Sequence, residues 1–377
     1  MQRPVTPEVH IVAFDIPVPV NYGGAIDIFH KIKALHALGV GVHLHCFQYG
    51  RESAPELETL CLSVSYYHRD ISKTNLFNRR PYIVATRTNE TLTRRLLQDD
   101  FPILLEGLHT CYYLEEPRLR KRVRVVRTHN IEHEYYGGLA KVEHNIFKRY
   151  YFLNEAAKLR RYERVLHLAS GIAAISTNDQ EYFSQKYRNV QTITAFHPQE
   201  AVEILPGMGS YALYHASLDV GENNEAALFL TRQVFNDLDL PLIIAGNKPS
   251  RELRETVAQY PNVELRLGLD SEGIAALVRE AQVNILPTFQ ATGIKLKLLL
   301  ALHIGRFCLV NTPMVCHTGL EELCIIRDTV EEMKRAVKEC FEHEFPQEEM
   351  ERRRAVLTSN GFSNAHNAKA LMGMLFP

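Results

Sequence analysis

Four strings in this 377-residue chain combine residue types that can do chemistry. In Asn21-Tyr22-Gly23-Gly24, a glycine pair stands where an apolar run ends and a helix-periodic run begins. Glycine lets the backbone come close to a ligand, and the N–H groups that open a helix favour an anion. The turn therefore suits a phosphate or a sugar hydroxyl, or is an ordinary tight connection. Thr292-Gly293-Ile294-Lys295-Leu296-Lys297 repeats the arrangement with a lysine in the first helical turn. Lys295 and Lys297 are two residues apart and point in different directions on a helix, which leaves one of them for a diphosphate. His129-Asn130-Ile131-Glu132-His133 fits the HxxEH pattern of a zinc peptidase class, whose chemistry needs both imidazoles on one helix face. Here it directly follows a strand-like run, so we expect a loop that presents His129, Asn130 and Glu132 at the end of a sheet, and no metal. Glu106-Gly107-Leu108-His109 also follows a strand-like run and offers a carboxylate and an imidazole, with loop capping as the plain alternative.

These strings need elements to hold them. His10–Phe14 reads as a strand, residues 26–38 as a helix closed by Gly39, and Val40–Phe47 as a second strand, which together make a βαβ unit. Further strands are expected at Ser63–Tyr67, Ile103–Leu105, Val123–Arg127, Ile172–Ile175 and Gln191–Phe196, with a long helix over Tyr150–Leu168. The Pro- and Gly-bearing stretch Pro198–Gly209 reads as a linker. A second series follows it: strands at Tyr211–Ser217, Leu242–Ala245, Val263–Leu267, Val283–Leu286 and Phe307–Val310, with helices at Asn224–Val234, Gly273–Ala281 and Ile294–His303. Short apolar strands alternating with helices predict an α/β chain with two parallel sheets, each covered on both faces, and a site in the cleft between them. Gly207-Met208-Gly209-Ser210-Tyr211-Ala212 has dinucleotide-loop spacing but precedes a strand rather than a helix, so it is set aside.

Composition narrows the class. Apolar residues make up 46% and charged residues 23%, which are globular values. Seven cysteines without a CxxC pair fit a reducing cytosol. No apolar run is long enough to span a bilayer. The net charge of -1 hides a split, with residues 1–195 at +6 and the remainder at -7. Six basic residues crowd into Arg118–Arg127, whose alternation with valine suggests an edge or half-exposed strand. Either the basic residues of the first half are simply solvated, or they attract an anionic membrane surface. Without interleaved aromatic platforms, a nucleic-acid partner is not expected.

Taken together and in order, several strings resemble the GT-B fold glycosyltransferases, within them the retaining, nucleotide-sugar-dependent bacterial family 4-like group. VNYGGAIDIFHKIKALHALG resembles that family's glycine loop and first helix, and VVRTHNIEHEYY its His-Asn-x-Glu segment. HASLDVGENNEAALFL, LIIAGNKP, VELRLGLD and ILPTFQATGIKLKLLLALHIGRFCLVNTPMVCHTGL resemble its nucleotide-binding half. The resemblance implies two tandem Rossmann-like domains facing each other across a cleft. The acceptor-side domain would be residues 1–197 with a returning helix at 362–377, and the donor-side domain residues 198–361. It also implies that Lys295 stabilises the departing diphosphate, with Thr292, Gly293 and Ile294 beside it. Gly23, Gly24, Gly246, Gly268, Thr318 and Gly319 would border the donor. His129 and Glu132 would be catalytic on the acceptor side, joined there by Glu106, His109 and Asn130. No cofactor or metal is implied beyond the nucleoside-diphosphate sugar. The acceptor would be a glycan or lipid-linked glycan of cell-surface polysaccharide synthesis, made in the cytoplasm or peripherally on the inner face of the membrane. The sequence departs from the family at Leu300, where a ribose-binding Glu is usual, at Thr292, where the partner acid is usual, and at Cys316-His317. Leucine has no group to accept a ribose hydroxyl. This departure keeps two other readings open: a catalytically degenerate relative that binds a glycan or protein, and a nucleotide-sugar epimerase.

Overall fold

Strands rich in Val, Ile and Leu, most of them buried along their length, form two parallel sheets in the computed structural model, which describes residues 6–143, 145–289, 295–359 and 361–377. The first sheet contains β1 (Glu8–Ala13), β2 (Gly41–Gln48), β3 (Ser63–His68), β4 (Ile103–Glu106), β5 (Arg124–Arg127), β6 (Gly171–Ala174) and β7 (Val190–Thr192), in the order β3-β2-β1-β4-β5-β6-β7. The second contains β8 (Ala212–His215), β9 (Leu242–Ala245), β10 (Val263–Arg266), β11 (Val283–Ile285), β12 (Phe307–Val310) and β13 (Ile325–Ile326), in the order β10-β9-β8-β11-β12-β13. Both sheets reverse direction of growth beside their first strand, between β1 and β4 and between β8 and β11. In doubly wound folds this switch point opens a crevice at the strands' C-terminal ends, where ligands bind. The α/β class read from the sequence is therefore the observed one.

The chain divides into two compact units, residues 1–198 with 361–377, and residues 199–360. The closing helix Asn364–Leu375 belongs to the first unit because Ala368, Leu371, Met374 and Leu375 join the apolar core of Val9, Ile11, Ile28 and Ile32. Asn367 Nδ2 also donates to Thr194 Oγ1 at 2.9 Å.

Some local expectations change. The strand expected over Gln191–Phe196 covers only Val190–Thr192. The long helix begins earlier, at Ile146, and is α-helical to Tyr162, after which Glu163–Leu168 tightens to 3-10 geometry. β5 is an interior strand buried at every position, not an edge. Its arginines are therefore structural: Arg124 Nη1 donates to Leu114 O at 2.9 Å and Nη2 to Leu168 O at 2.8 Å. The preceding Arg122 is also buried, with Nε 2.8 Å from Phe101 O. Alternation suggested solvent on one face, but a parallel sheet covered on both faces puts those guanidinium groups against backbone carbonyls instead.

β1 and β2 also enclose a histidine cluster. His10 Nδ1 lies 2.8 Å from His45 Nε2, and His10 Nε2 lies 2.9 Å from Asp99. His45 Nδ1 meets the Tyr67 hydroxyl at 3.0 Å, and the His43 ring stacks 5.0 Å from that of His10. Burial lowers the His10 imidazole to about 4 against the pull of Asp99, with Arg122 and His43 lowering it further. Burial also holds His45 well below the ordinary range. The unfolded chain, with histidine near ~6.5, thus binds more protons than the folded one, so stability is full above that pH and is lost as pH falls toward 4. His10 alone should withdraw on the order of 3 kcal/mol by pH 4. Urea unfolding at pH 7.5 and pH 4.5 checks this: a His10→Gln chain should lose less stability over that interval than the native chain, and equal losses would refute the assignment.

Candidate functional site

Each unit gathers its reactive side chains at its own switch point. In the first, the helix Gly23–Ala37 follows β1 with Tyr22 at its N-cap, no side-chain cap, and Gly23 exposed. A β-carbon at Gly24 would stand 2.7 Å from Phe14 Cζ, so the Phe14 ring fills the space a side chain would need. The same ring lies 4.8 Å from the His109 ring and meets His129 edge-on at 5.4 Å. The glycine turn, the loop after β4 and the loop after β5 therefore converge on one aromatic residue.

Beneath them lies a buried charge network. Lys31 Nζ donates to Asp27 Oδ2 at 2.8 Å and to Glu106 Oε1 at 2.7 Å. Arg127 Nη2 donates to Asp27 Oδ1 at 2.9 Å, and His129 Nε2 lies 2.9 Å from Glu106 Oε2. Burial alone would raise both carboxyls. Arg127 and Lys31 outweigh it at Asp27, and Lys31 and His129 at Glu106, so both are held below the ordinary carboxylate range. Asp27, Glu106 and His129 converge closely enough to hold a cation, but Lys31 and Arg127 already neutralise the two carboxylates from within the fold. The network serves to fix His129: its Nε2 is committed to Glu106, while its side chain keeps 10% exposure. Asn130, next in the loop, is partly exposed.

Glu132 differs from its expected place over open strand ends. It is the first residue of the helix Glu132–Val142 and is 6% exposed. Burial, opposed by Arg87, pushes its carboxyl up to about 8, so it holds its proton near neutral pH. Opposite it, at 3.8 Å, is His109 Nδ1, a buried atom with no hydrogen-bond partner. Burial holds that imidazole neutral. A protonated acid thus faces an unpaired imidazole nitrogen. His133 turns elsewhere, its Nδ1 3.3 Å from Glu163, so the two histidines of the HxxEH string serve different partners.

In the second unit, Lys295 caps the helix Leu296–Ile304, and its Nζ lies 3.6 Å from Glu222 Oε1. Glu222 lies in the first turn of the helix Gly221–Phe229 after β8 and also accepts from the Thr288 hydroxyl beyond β11. Lys297 turns inward, donating to Asn223 Oδ1 at 3.0 Å and lying 5.0 Å from the Tyr214 ring. Burial, then the charge of Lys295, lowers the Lys297 amine to about 8. Lys295 keeps 18% side-chain exposure. Thr292, Gly293 and Ile294 lie outside the described residues.

The remaining second-unit positions are more structural than the sequence suggested. A β-carbon at Gly246 would overlap Ala216 O at 2.0 Å, so backbone packing explains that glycine. Gly268 takes φ +75° at a turn, its N–H 2.8 Å from Asn247 Oδ1. The Thr318 hydroxyl donates to Val315 O at 2.6 Å and accepts from Leu320 N at 3.2 Å, which occupies it within its own turn. Gly319 is exposed with open space around it. Leu300 is half-buried against the apolar cluster of Leu213, Ile243 and Leu277. Asp27, Lys31, Arg127, Glu222 and Thr288 were missed. Asp27 and Lys31 left a trace: four residues apart, they interrupt the buried face that also carries Leu35. Nothing local pointed to Glu222 or Thr288.

No protein-family model matches the chain. Among curated proteins, an uncharacterized 44.6 kDa protein in the cps region of Klebsiella pneumoniae is 24% identical over 341 residues, covering 85% of this chain and 87% of that one. Among solved structures, a sucrose-phosphate synthase from Thermosynechococcus elongatus aligns with a TM-score of 0.70 at 14% identity over 98% of both chains. A structure from E. coli described as trehalose-6-phosphate bound with UDP-2-fluoro glucose aligns with a TM-score of 0.64 at 12% identity, again over 98% of both. These likenesses establish a shared fold, the two-domain α/β fold that the sequence motifs suggested.

Proposed function

We propose that the protein is a glycosyltransferase that moves a sugar from a nucleoside-diphosphate sugar to an acceptor. The observation that carries this reading is Lys295, a partly exposed ammonium at a helix N-terminus beside the switch point of the second unit. A diphosphate leaving group develops negative charge as its bond to the sugar breaks, and a fixed cation with helix N–H groups stabilises that charge. Glu222, loosely paired at 3.6 Å, holds the ammonium in place. The first unit takes the acceptor, with His129 positioned by Glu106, and with Asn130 and His109 beside it. We assign retention of anomeric configuration and independence from metal by family resemblance. The acceptor class is a glycan or lipid-linked glycan of cell-surface polysaccharide synthesis, reached from the cytoplasmic side. The E. coli structure bound with UDP-2-fluoro glucose supports a nucleotide-sugar donor for this fold.

A ligand that binds only the folded state raises its stability by mass action. A thermal-shift panel of nucleoside diphosphates and their sugars should therefore contain at least one compound that raises Tm by several degrees at 100 times its Kd, about 2.7 kcal/mol of stabilisation. A flat response across the panel overturns the transferase reading. It would favour the second reading, a binding relative without turnover, for which Leu300 is the supporting observation: an apolar side chain packed at the position where the family carries a carboxylate.

A further inference from the structure

The helix Ile146–Tyr162 carries a row of exposed apolar side chains on its outward face. Its buried residues are Glu155 and Leu159, while Ile146 (80%), Phe147 (86%), Tyr150 (73%) and Leu153 (52%) are exposed. Ile146, Tyr150, Leu153 and Ala157 recur at i, i+4, i+7 and i+11, so they form one stripe along the outward face. Arg149 and Arg160 flank the stripe on one side and Arg161 on the other, all exposed, with Lys148 exposed in the first turn. Glu155 and Lys158 secure the inward side: Glu155 accepts from Tyr82 N, and Lys158 Nζ donates to Leu76 O at 2.8 Å. The turn tied down by Lys158 carries Phe77, which is 90% exposed. At the C-terminal end of the helix is an open cavity of about 410 Å³ lined by Arg79, Lys158, Arg161, Arg164 and His167, with Glu115 as its one acid.

We propose that this face docks on a bilayer containing anionic phospholipid. The apolar stripe and Phe77 enter the headgroup–acyl boundary, and the basic cavity receives lipid phosphate. A soluble face seldom shows so contiguous an apolar patch without a partner. The chemistry of the flanks selects the partner: apolar and aromatic side chains rimmed by Lys and Arg suit an anionic interface, where each basic group near the surface adds about 1 kcal/mol. A second copy meeting the same face across a two-fold axis would set these arginines against themselves. The proposal deepens the reading of a membrane-borne acceptor. Vesicle binding is read without donor or turnover, so either can fail alone.

The test is sedimentation of the full chain with vesicles of phosphatidylcholine alone and of phosphatidylcholine with 30% phosphatidylglycerol. The expected result is binding to the anionic vesicles at least tenfold tighter than to the neutral ones, weakened by raised salt. Phe147→Ser with Tyr150→Ser, and separately Arg161→Glu with Arg164→Glu, should each reduce that binding at least tenfold at unchanged Tm. Equal affinity for both vesicles, no binding to either, or native binding by both double variants overturns the proposal. So does a dimer in sedimentation velocity that Phe147→Ser dissociates, which would assign the stripe to a second copy.

Discussion

Replacing Lys295 with alanine should lower turnover of the accepted nucleotide-sugar by about 10²–10³-fold, the loss typical of removing one preorganised group from a developing anion. The expectation rests on where the charge is. The second half of the chain nets -7, so no domain-wide positive field draws in a diphosphate. The cation must be local, and among the described residues Lys295 stands at the helix N-terminus while Lys297 is turned into the fold toward Asn223 and Tyr214. If the chemical step depends on Lys295, the loss should fall on kcat as well as kcat/KM. Glu222→Gln should cost less, because it removes the acid that holds the ammonium and leaves the ammonium itself. Steady-state kinetics on whichever donor the thermal-shift panel identifies will decide. A Lys295→Ala enzyme within threefold of native would remove that residue from the mechanism.

Replacing Asp27 with alanine should destabilise the first unit by about 3–5 kcal/mol, because it leaves the buried Arg127 without a carboxylate and Lys31 with Glu106 alone. Asp27 is 1% exposed and holds both Lys31 and Arg127, whose side chains are fully buried. It also accepts from Phe196 N at 2.9 Å. Removing one member of such a group leaves uncompensated charge, whereas replacing all members with apolar residues of similar volume is often tolerated. Asp27→Ala combined with Arg127→Met, which removes that pair and leaves Lys31 on Glu106, should therefore recover part of the loss. Urea unfolding of the single and double variants measures both. A single variant within 1 kcal/mol of native would show that the network contributes little. His129, which reaches the network through Glu106 at 2.9 Å, should lose its fixed orientation in the single variant.

The two predictions differ in how far the sequence foretold them. Lys295 was legible because glycine, lysine and an apolar helix stand within a few residues of one another, and helix initiation is a local property. The strands were legible for the same reason: Leu242–Ala245 and Phe307–Val310 are found where apolar runs between turn residues put them. Arg118–Arg127 misled because alternation reports which side chains share a face, not what covers that face. With helices on both sides of the sheet, Arg124 and Arg127 are buried.

The sequence by itself determined the α/β class, the alternation of strand and helix, and the identity of the reactive strings. Each follows from periodicity and turn chemistry within a dozen residues. Tertiary structure decided which of those strings meet, and in what electrostatic state. Asp27 and Arg127 are 100 positions apart, and Lys31 and Glu106 are 75. Only the strand order, with β4 beside β1 and β5 beside β4, brings them together. Burial then holds a proton on Glu132 and keeps His109 neutral. Desolvation depends on everything packed around a group, which no spacing along the chain records.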